Sequence, residues 1–270
     1  MCADHYIHGT TPTEQQRLAR LNRITNPAFL AFLELPANAQ VLEIGSGLGI
    51  LAAEIAQSRP DVQLTGVEYA QAQLAAAPHD QPRLTFAQGD GRQLPLADDT
   101  FDVVYCRYLL EHVTGPELVL NEARRVLKPG GKLFLQENDI LVSTFEPECP
   151  AFDQVWKQFV VLQARLGGDA RIGRRLFQLV QQAGFVDIAL SVAPEVHWSG
   201  SEFFAPWVEN LAGNIRGAAE SLIAAGLATH AQISAAIAEL AQLQARPDAT
   251  SHFYWHRARG SKPRSTRPTE

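Results

Sequence analysis

Residues 41–50 read VLEIGSGLGI: a short apolar strand that runs directly into three glycines, Gly45, Gly47 and Gly49, and then into helical sequence. Such a turn lets backbone approach a ligand closely, because no Cβ stands in the way. The spacing is GxGxG, one residue shorter than the GxGxxG of a dinucleotide loop, and Glu43 lies inside the strand just before it. An acidic residue there suits a cationic ligand better than a pyrophosphate.

Outward from this turn, apolar runs of four to six residues alternate with helical segments, the pattern of parallel strands covered by helices. The further runs are VQLTGVE at 62–68, LTFAQ at 84–88, DVVYC at 102–106 and KLFLQE at 132–137. Helices are expected at 48–58, 70–77 and 116–127, the last opened by Pro116. Upstream, residues 1–36 predict two short helices interrupted before Pro27 and closed by Pro36. Downstream, helices are predicted at 151–165 and 172–183, and strands at 186–192 and 252–258, which pair despite the separation between them. The intervening 194–250 holds an aromatic helix at 201–212 and an alanine-rich pair at 217–225 and 229–245. The expected organisation is a helical cap at 1–36, a core at 37–193, a helical insertion at 194–250, a last core strand at 251–260 and a flexible tail at 261–270.

The ends of the next two strands also carry ligand-type residues. Glu68 ends the second strand 23 residues after Gly45, where a carboxylate can accept from both hydroxyls of a ribose. Gly89-Asp90-Gly91 ends the third, where Asp90 can accept from an exocyclic adenine amine.

In this order VLEIGSGLG, GVEYA, QGDGRQLPLADDTFDVVYCRYLLEHV and RRVLKPGGKLFLQE resemble the class I S-adenosylmethionine-dependent methyltransferases, within them the bacterial branch that acts on small metabolites. The resemblance covers residues 40–192 well. It implies an α/β, Rossmann-like sheet, mostly parallel with an antiparallel last strand, an N-terminal helical cap and a C-terminal helical insertion. It also implies that S-adenosylmethionine is bound and leaves as S-adenosylhomocysteine. Gly45, Ser46, Gly47 and Gly49 would line its methionine half, with Glu43 ordering the loop or facing the amino group. Glu68 would hold the ribose, with Tyr69 beside it, and Asp90 and Gly91 the adenine. Tyr6 and Arg17 of the cap would close over the cofactor, Arg17 as a partner for its carboxylate.

Methyl transfer is an in-line displacement in which the protein supplies alignment, water exclusion and sometimes a base. His112, after the fourth strand, is the candidate base, or else it orders its loop. Cys106 reads as a packed neighbour of the cofactor, and Arg107 either faces the methionine carboxylate or makes a surface pair. Asp139 follows the fifth strand as a substrate contact or a loop cap. His197, Trp198, Phe204 and Trp207 form either an apolar substrate wall or ordinary packing.

Composition narrows the partners. With 46% hydrophobic residues among 270 the chain folds, and a net charge of −6 gives no help with nucleic-acid binding. No run approaches the ~20 apolar residues of a membrane span. Cys2, Cys106 and Cys149 form no metal-binding pattern, and a cytoplasmic location is the simplest. The expected activity is transfer of a methyl group to N, O, S or C of a small molecule, without metal, nucleic acid or membrane partner; a homodimer stays open. A nucleic-acid or protein methyltransferase, or a non-catalytic S-adenosylmethionine-binding protein, is the alternative. The cluster Arg257, Arg259, Lys262, Arg264 and Arg267 reads as solvated tail.

Overall fold

The computed structural model describes residues 11–264, so Tyr6 lies outside the described residues. The chain opens with helix α1 (Pro12–Phe32), capped by the Thr11 hydroxyl, which accepts from the Glu14 N–H. Here the sequence expectation fails, because α1 runs unbroken through Pro27. Pro27 removes one N–H and strips the Arg23 carbonyl of its usual partner. Both residues lie on the exposed side of the helix, where water can serve that carbonyl. The opposite side buries Leu21, Ile24 and Phe29.

Two βα units and a third strand follow: β1 (Gln40–Ile44), α2 (Ile50–Ser58), β2 (Gln63–Glu68), the single turn α3 (Gln71–Leu74) and β3 (Leu84–Gln88). Then come β4 (Phe101–Arg107), a 3-10 turn at Leu110–His112, α4 (Pro116–Val126) and β5 (Leu127–Glu137). A second 3-10 turn, Ile140–Val142, leads to β6 (Thr144–Glu146), which the sequence reading missed, and to α5 (Pro150–Arg165). The helix expected at 172–183 divides into a 3-10 turn, Ile172–Arg175, and α6 (Leu176–Gln182). The chain ends with β7 (Val186–Trp198), α7 (Phe204–Ala224), α8 (His230–Ala245) and β8 (Thr250–Ser261).

The sheet is ordered β3-β2-β1-β4-β5-β8, parallel through β5, with β8 antiparallel to β5 and both β7 and β6 pairing antiparallel to β8. Strand alternation sends Val41, Val103, Tyr105 and Phe134 to one face, against α1 and α2. Leu42, Ile44, Val104 and Leu135 go to the other, against α4 and α6. A third core is built by α5, α7 and α8 on the β8 residues Phe253 and Trp255.

β7 outruns its predicted end by six residues, through Pro194, because it pairs on one side only and a missing N–H is tolerated on an edge. His197 and Trp198 therefore belong to a strand and not to the insertion. The two helices expected within 201–225 are one, α7. Its Gly213 lets the Arg17 side chain lie close: a Cβ there would meet Arg17 Cδ at 3.0 Å. Of the supposed tail cluster, Arg257 and Arg259 lie on β8, and Arg257 is buried with its Nε on Gln136 Oε1 at 2.6 Å. Among the described residues, no helix is long and apolar enough to cross a membrane.

Leu42, fully buried in the centre of β1, tests this arrangement. Leu42→Ala should cost about 3 kcal/mol, read as a lower urea midpoint at unchanged slope. A cost below about 1 kcal/mol would remove β1 from the core.

Candidate functional site

The carboxyl ends of β1, β2, β3, β4 and β5 open onto one cavity of about 540 Å³, roofed by α1, α5 and α7. That volume lies within the range of small-molecule sites, about 300–1,000 Å³. Its floor is the glycine turn. Gly45, Gly47 and Gly49 have φ of 76°, 54° and 67°, the left-handed region that disfavours other residues. A Cβ on Gly49 would strike the Phe86 ring at 2.5 Å, whereas one on Gly47 would meet nothing within 4 Å, so Gly47 leaves its side open towards the cavity it lines.

Glu68 fixes the turn: Oε2 accepts from the Gly47 N–H and Oε1 from the Ala70 N–H, both at 2.8 Å. Each oxygen keeps a lone pair for a ligand hydroxyl. Tyr69 is exposed at the rim. Asp90 and Gly91 line the cavity, with the Asp90 carboxylate held by Arg92 and by the Arg92 N–H, which keeps its pKa low. Glu43 Oε2 and Ser46 Oγ are buried at the same place with no hydrogen-bond partner among the described residues. Burial pushes the Glu43 carboxyl up to about 8, opposed by Arg107. Two buried, unsatisfied polar atoms beside a glycine cradle are the mark of a site that awaits a polar ligand.

Arg107 lines the cavity but spends its guanidinium on the cap. Nη2 donates to Asn22 Oδ1 at 2.6 Å and Asn26 Oδ1 at 2.7 Å, and the group lies over the Phe29 and Tyr108 rings. Arg17 reaches the cavity from α1, bonded to both Glu14 oxygens and to Asn210 Oδ1 of α7. The cap is thus tied to the sheet by one arginine and to α7 by another.

His112 is in the cavity wall with Nε2 3.6 Å from Glu111 Oε1 and Nδ1 3.5 Å from Gln163 Nε2. Burial, reinforced by Arg17, pushes its pKa down to about 3, so it is a neutral ring and a weak proton acceptor. Six predicted contacts are not brought to the cavity. Gly49 closes the turn against Phe86 and does not line the cavity. Cys106 points the other way, towards Glu137, and burial pushes its thiol well up. Asp139 caps the 3-10 turn through the Leu141 N–H and pairs with Arg171, so its carboxylate is turned from the crevice. His197 is buried beside Glu195, 3.3 Å away, and Phe204 is buried in the helical core. Trp198 is exposed on β7 and does not line the cavity either. Trp207 alone of the four aromatic candidates lines it, its Nε1 donating to Ser251 Oγ at 3.0 Å.

The sequence reading missed most of the chamber. Tyr108, Trp156, Phe159, Phe253 and Trp255 line it together with Glu111, Asn138, Gln163 and Asn210. They come from β4's end, α5, β8 and α7, and each in isolation reads as ordinary helix or strand core. Glu137 carried a signal only in its place, at the end of β5. Its Oε1 accepts from the Leu109 and Leu110 N–H groups at 3.0 and 2.9 Å, and burial raises its pKa to about 8.

Comparison with known proteins bears on this geometry. Residues 42–135 match the family described as methyltransferase domain. An O-methyltransferase of Pyrenophora dematioidea is 28% identical over 196 residues, covering 67% of this chain and 66% of the relative. A ubiquinone/menaquinone biosynthesis C-methyltransferase of Desulfotalea psychrophila is 38% identical over 104 residues, covering 36% of this chain and 40% of the relative. The alignments therefore span less than two thirds of either relative's length. In fold, the chain is similar to phosphoethanolamine N-methyltransferase 2 of Haemonchus contortus in complex with S-adenosyl-L-methionine: TM-score 0.53, 19% identity, 93% of this chain and 53% of that one.

The arginine clamp makes a testable demand on the cap. Arg107→Ala removes three charge-assisted bonds, to Asn22, Thr25 and Asn26, and should speed amide hydrogen exchange across residues 12–32 by at least about tenfold. Unchanged protection would mean that α1 is held by apolar packing alone.

Proposed function

With residues 42–135 belonging to the methyltransferase domain family, on the sheet of the class I S-adenosylmethionine-dependent methyltransferases, we propose that the chain transfers a methyl group to a small, largely apolar acceptor. The observation that carries this reading is the cavity at the strand ends, polar and glycine-lined over β1–β3 and aromatic beneath α5 and α7. S-adenosylmethionine would supply the electrophilic methyl group on a sulfonium. The residues fit that cofactor. The turn at Gly45, Gly47 and Gly49 gives it room, and Glu43 Oε2 and Ser46 Oγ are unsatisfied where an ammonium and a polar tail would lie.

Glu68 is placed to accept from ribose hydroxyls while it keeps the turn in shape. Asp90 would share its carboxylate between Arg92 and an adenine amine. Arg17 and Arg107 tie the cap to α7 and to the sheet, and both line the cavity. Closure excludes water, which matters because a sulfonium is open to any nucleophile. The acceptor would sit among Trp156, Phe159, Trp207, Phe253 and Trp255, a chamber whose rings suit a flat apolar body. The names of the two relatives, one an O- and one a C-methyltransferase, support small acceptors without choosing between the atoms.

Isothermal titration of the protein with S-adenosylmethionine tests the reading, with NADH as control. Micromolar affinity for the first alone is expected, and Glu68→Ala should weaken it at least about tenfold by leaving ribose hydroxyls and the Gly47 amide without their acceptor. An unchanged affinity in Glu68→Ala would displace the ribose from this strand end, and no binding to the wild type would sink the proposal.

A further inference from the structure

Glu111 stands in the cavity wall, buried, and neither the cofactor half of the site nor the cap uses it. Its position is fixed from three sides. The turn that carries it is pinned by Glu137, which accepts from the N–H groups of Leu109 and Leu110. Its own carbonyl accepts from Gln163 Nε2 of α5 at 2.8 Å and from the Asp169 N–H at 2.9 Å. Its carboxyl oxygen Oε1 accepts from Asn138 Nδ2 at the end of β5. Even the residue facing its carbonyl has no room to vary, since a Cβ on Gly168 would come within 2.4 Å of that oxygen.

The charged and titratable groups around it are Arg17 from α1, Glu137 from β5, Asp169 from the loop after α5, and His112 on its own turn. Burial raises the Glu111 carboxyl to about 7, with Asn138, Gln163 and Arg17 opposing and Asp169 adding to the rise. It therefore changes between acid and carboxylate near neutrality, whereas His112 resists taking a proton altogether. Of the two neighbours, the carboxylate is the better proton acceptor.

Resting on the reading of the chain as a methyltransferase, we propose that Glu111 accepts the proton released on methyl transfer and that the acceptor is a hydroxyaromatic compound. Five aromatic rings in the chamber suit its flat body. A buried carboxyl at this place in the cavity wall gives an acceptor hydroxyl a group to which its proton can pass. As the oxygen–methyl bond forms and the carbon–sulfur bond of the donor breaks, sulfur keeps the bonding pair. The hydroxyl proton passes to Glu111 and from there to solvent.

The test compares wild type and Glu111→Gln on 1-naphthol and on 4-nitro-1-naphthol, which is of similar shape but already ionised at about pH 8, using labelled S-adenosylmethionine. With 1-naphthol the wild-type kcat should rise with pH through about 7, and Glu111→Gln should lose at least about 100-fold. With the nitro compound the loss should shrink to within about fivefold, and the inflection should vanish. S-adenosylmethionine affinity should stay within about twofold. Without any donor, 1-naphthol binding read by tryptophan fluorescence should vary with pH in the wild type and be flat in Glu111→Gln. Equal losses for both naphthols would mark a merely structural role and overturn the proposal. So would undiminished turnover, or a protein that binds S-adenosylmethionine and methylates neither naphthol. Should Glu111→Gln not fold, the two wild-type pH profiles decide alone, and matching profiles overturn it. Failure of the wild type to bind S-adenosylmethionine would instead remove the methyltransferase reading, and this inference with it.

Discussion

The Glu137 carboxylate, caught by two successive backbone N–H groups, is the constraint on which the site depends. Where β4 and β5 end, the backbone leaves the sheet and its N–H groups lose their ladder partners, and a buried donor left unpaired costs about 1–3 kcal/mol. The chain solves this repeatedly with carboxylates: Glu68 for the amides of Gly47 and Ala70, Asp90 for Arg92, Asp139 for Leu141. Glu137 is the deepest of them, and by fixing the turn after β4 it aims Tyr108, Glu111 and His112 at one space. The Tyr108 backbone, at φ 56°, sits in a conformation few side chains adopt, and it is held there by Gln136 and by the Trp255 and Arg107 contacts.

From that fixed rim the molecule builds two half-sites with different physics. Over β1–β3 the walls are backbone amides, glycines and carboxylates, a polar surface that recognises by hydrogen bonds. Beneath α5, α7 and β8 the walls are aromatic rings whose recognition is by shape and burial. α1 belongs to both, since its Asn22 and Asn26 hold Arg107 of the sheet and its Arg17 holds Asn210 of α7. Loosening the cap would open both halves together.

The cofactor half was legible in the sequence because its determinants are local. A glycine turn is dictated by backbone sterics, Glu68 is the last residue of β2, and Asp90 comes two residues after the end of β3. The central strands were likewise readable from runs such as VLEI and DVVYC. The acceptor half was not, because Trp156, Trp207 and Trp255 lie about fifty residues apart and meet only through packing. Cys106 and Asp139 occupied plausible positions at strand ends, yet strand alternation turned the first inward to Glu137 and a capping bond turned the second away. Pro27 misled in the same manner: it was read as an interruption, and it sits on the exposed side of an unbroken α1.

The register of β7 on β8 places Trp198 opposite Thr250, so the segment carrying α7 and α8 leaves and re-enters the sheet at neighbouring points, about 5 Å apart as antiparallel partners are. Topologically that segment is an enlarged hairpin loop. Its length is free of the strands that bear it, since the cost of closing a longer loop grows only as the logarithm of its length. Of the aromatic wall that segment supplies Trp207, while Trp156 and Phe159 stand on α5 and Phe253 and Trp255 on β8. α7, which supplies Trp207 and Asn210 to the cavity, is thus the part of its wall whose length the strands leave freest.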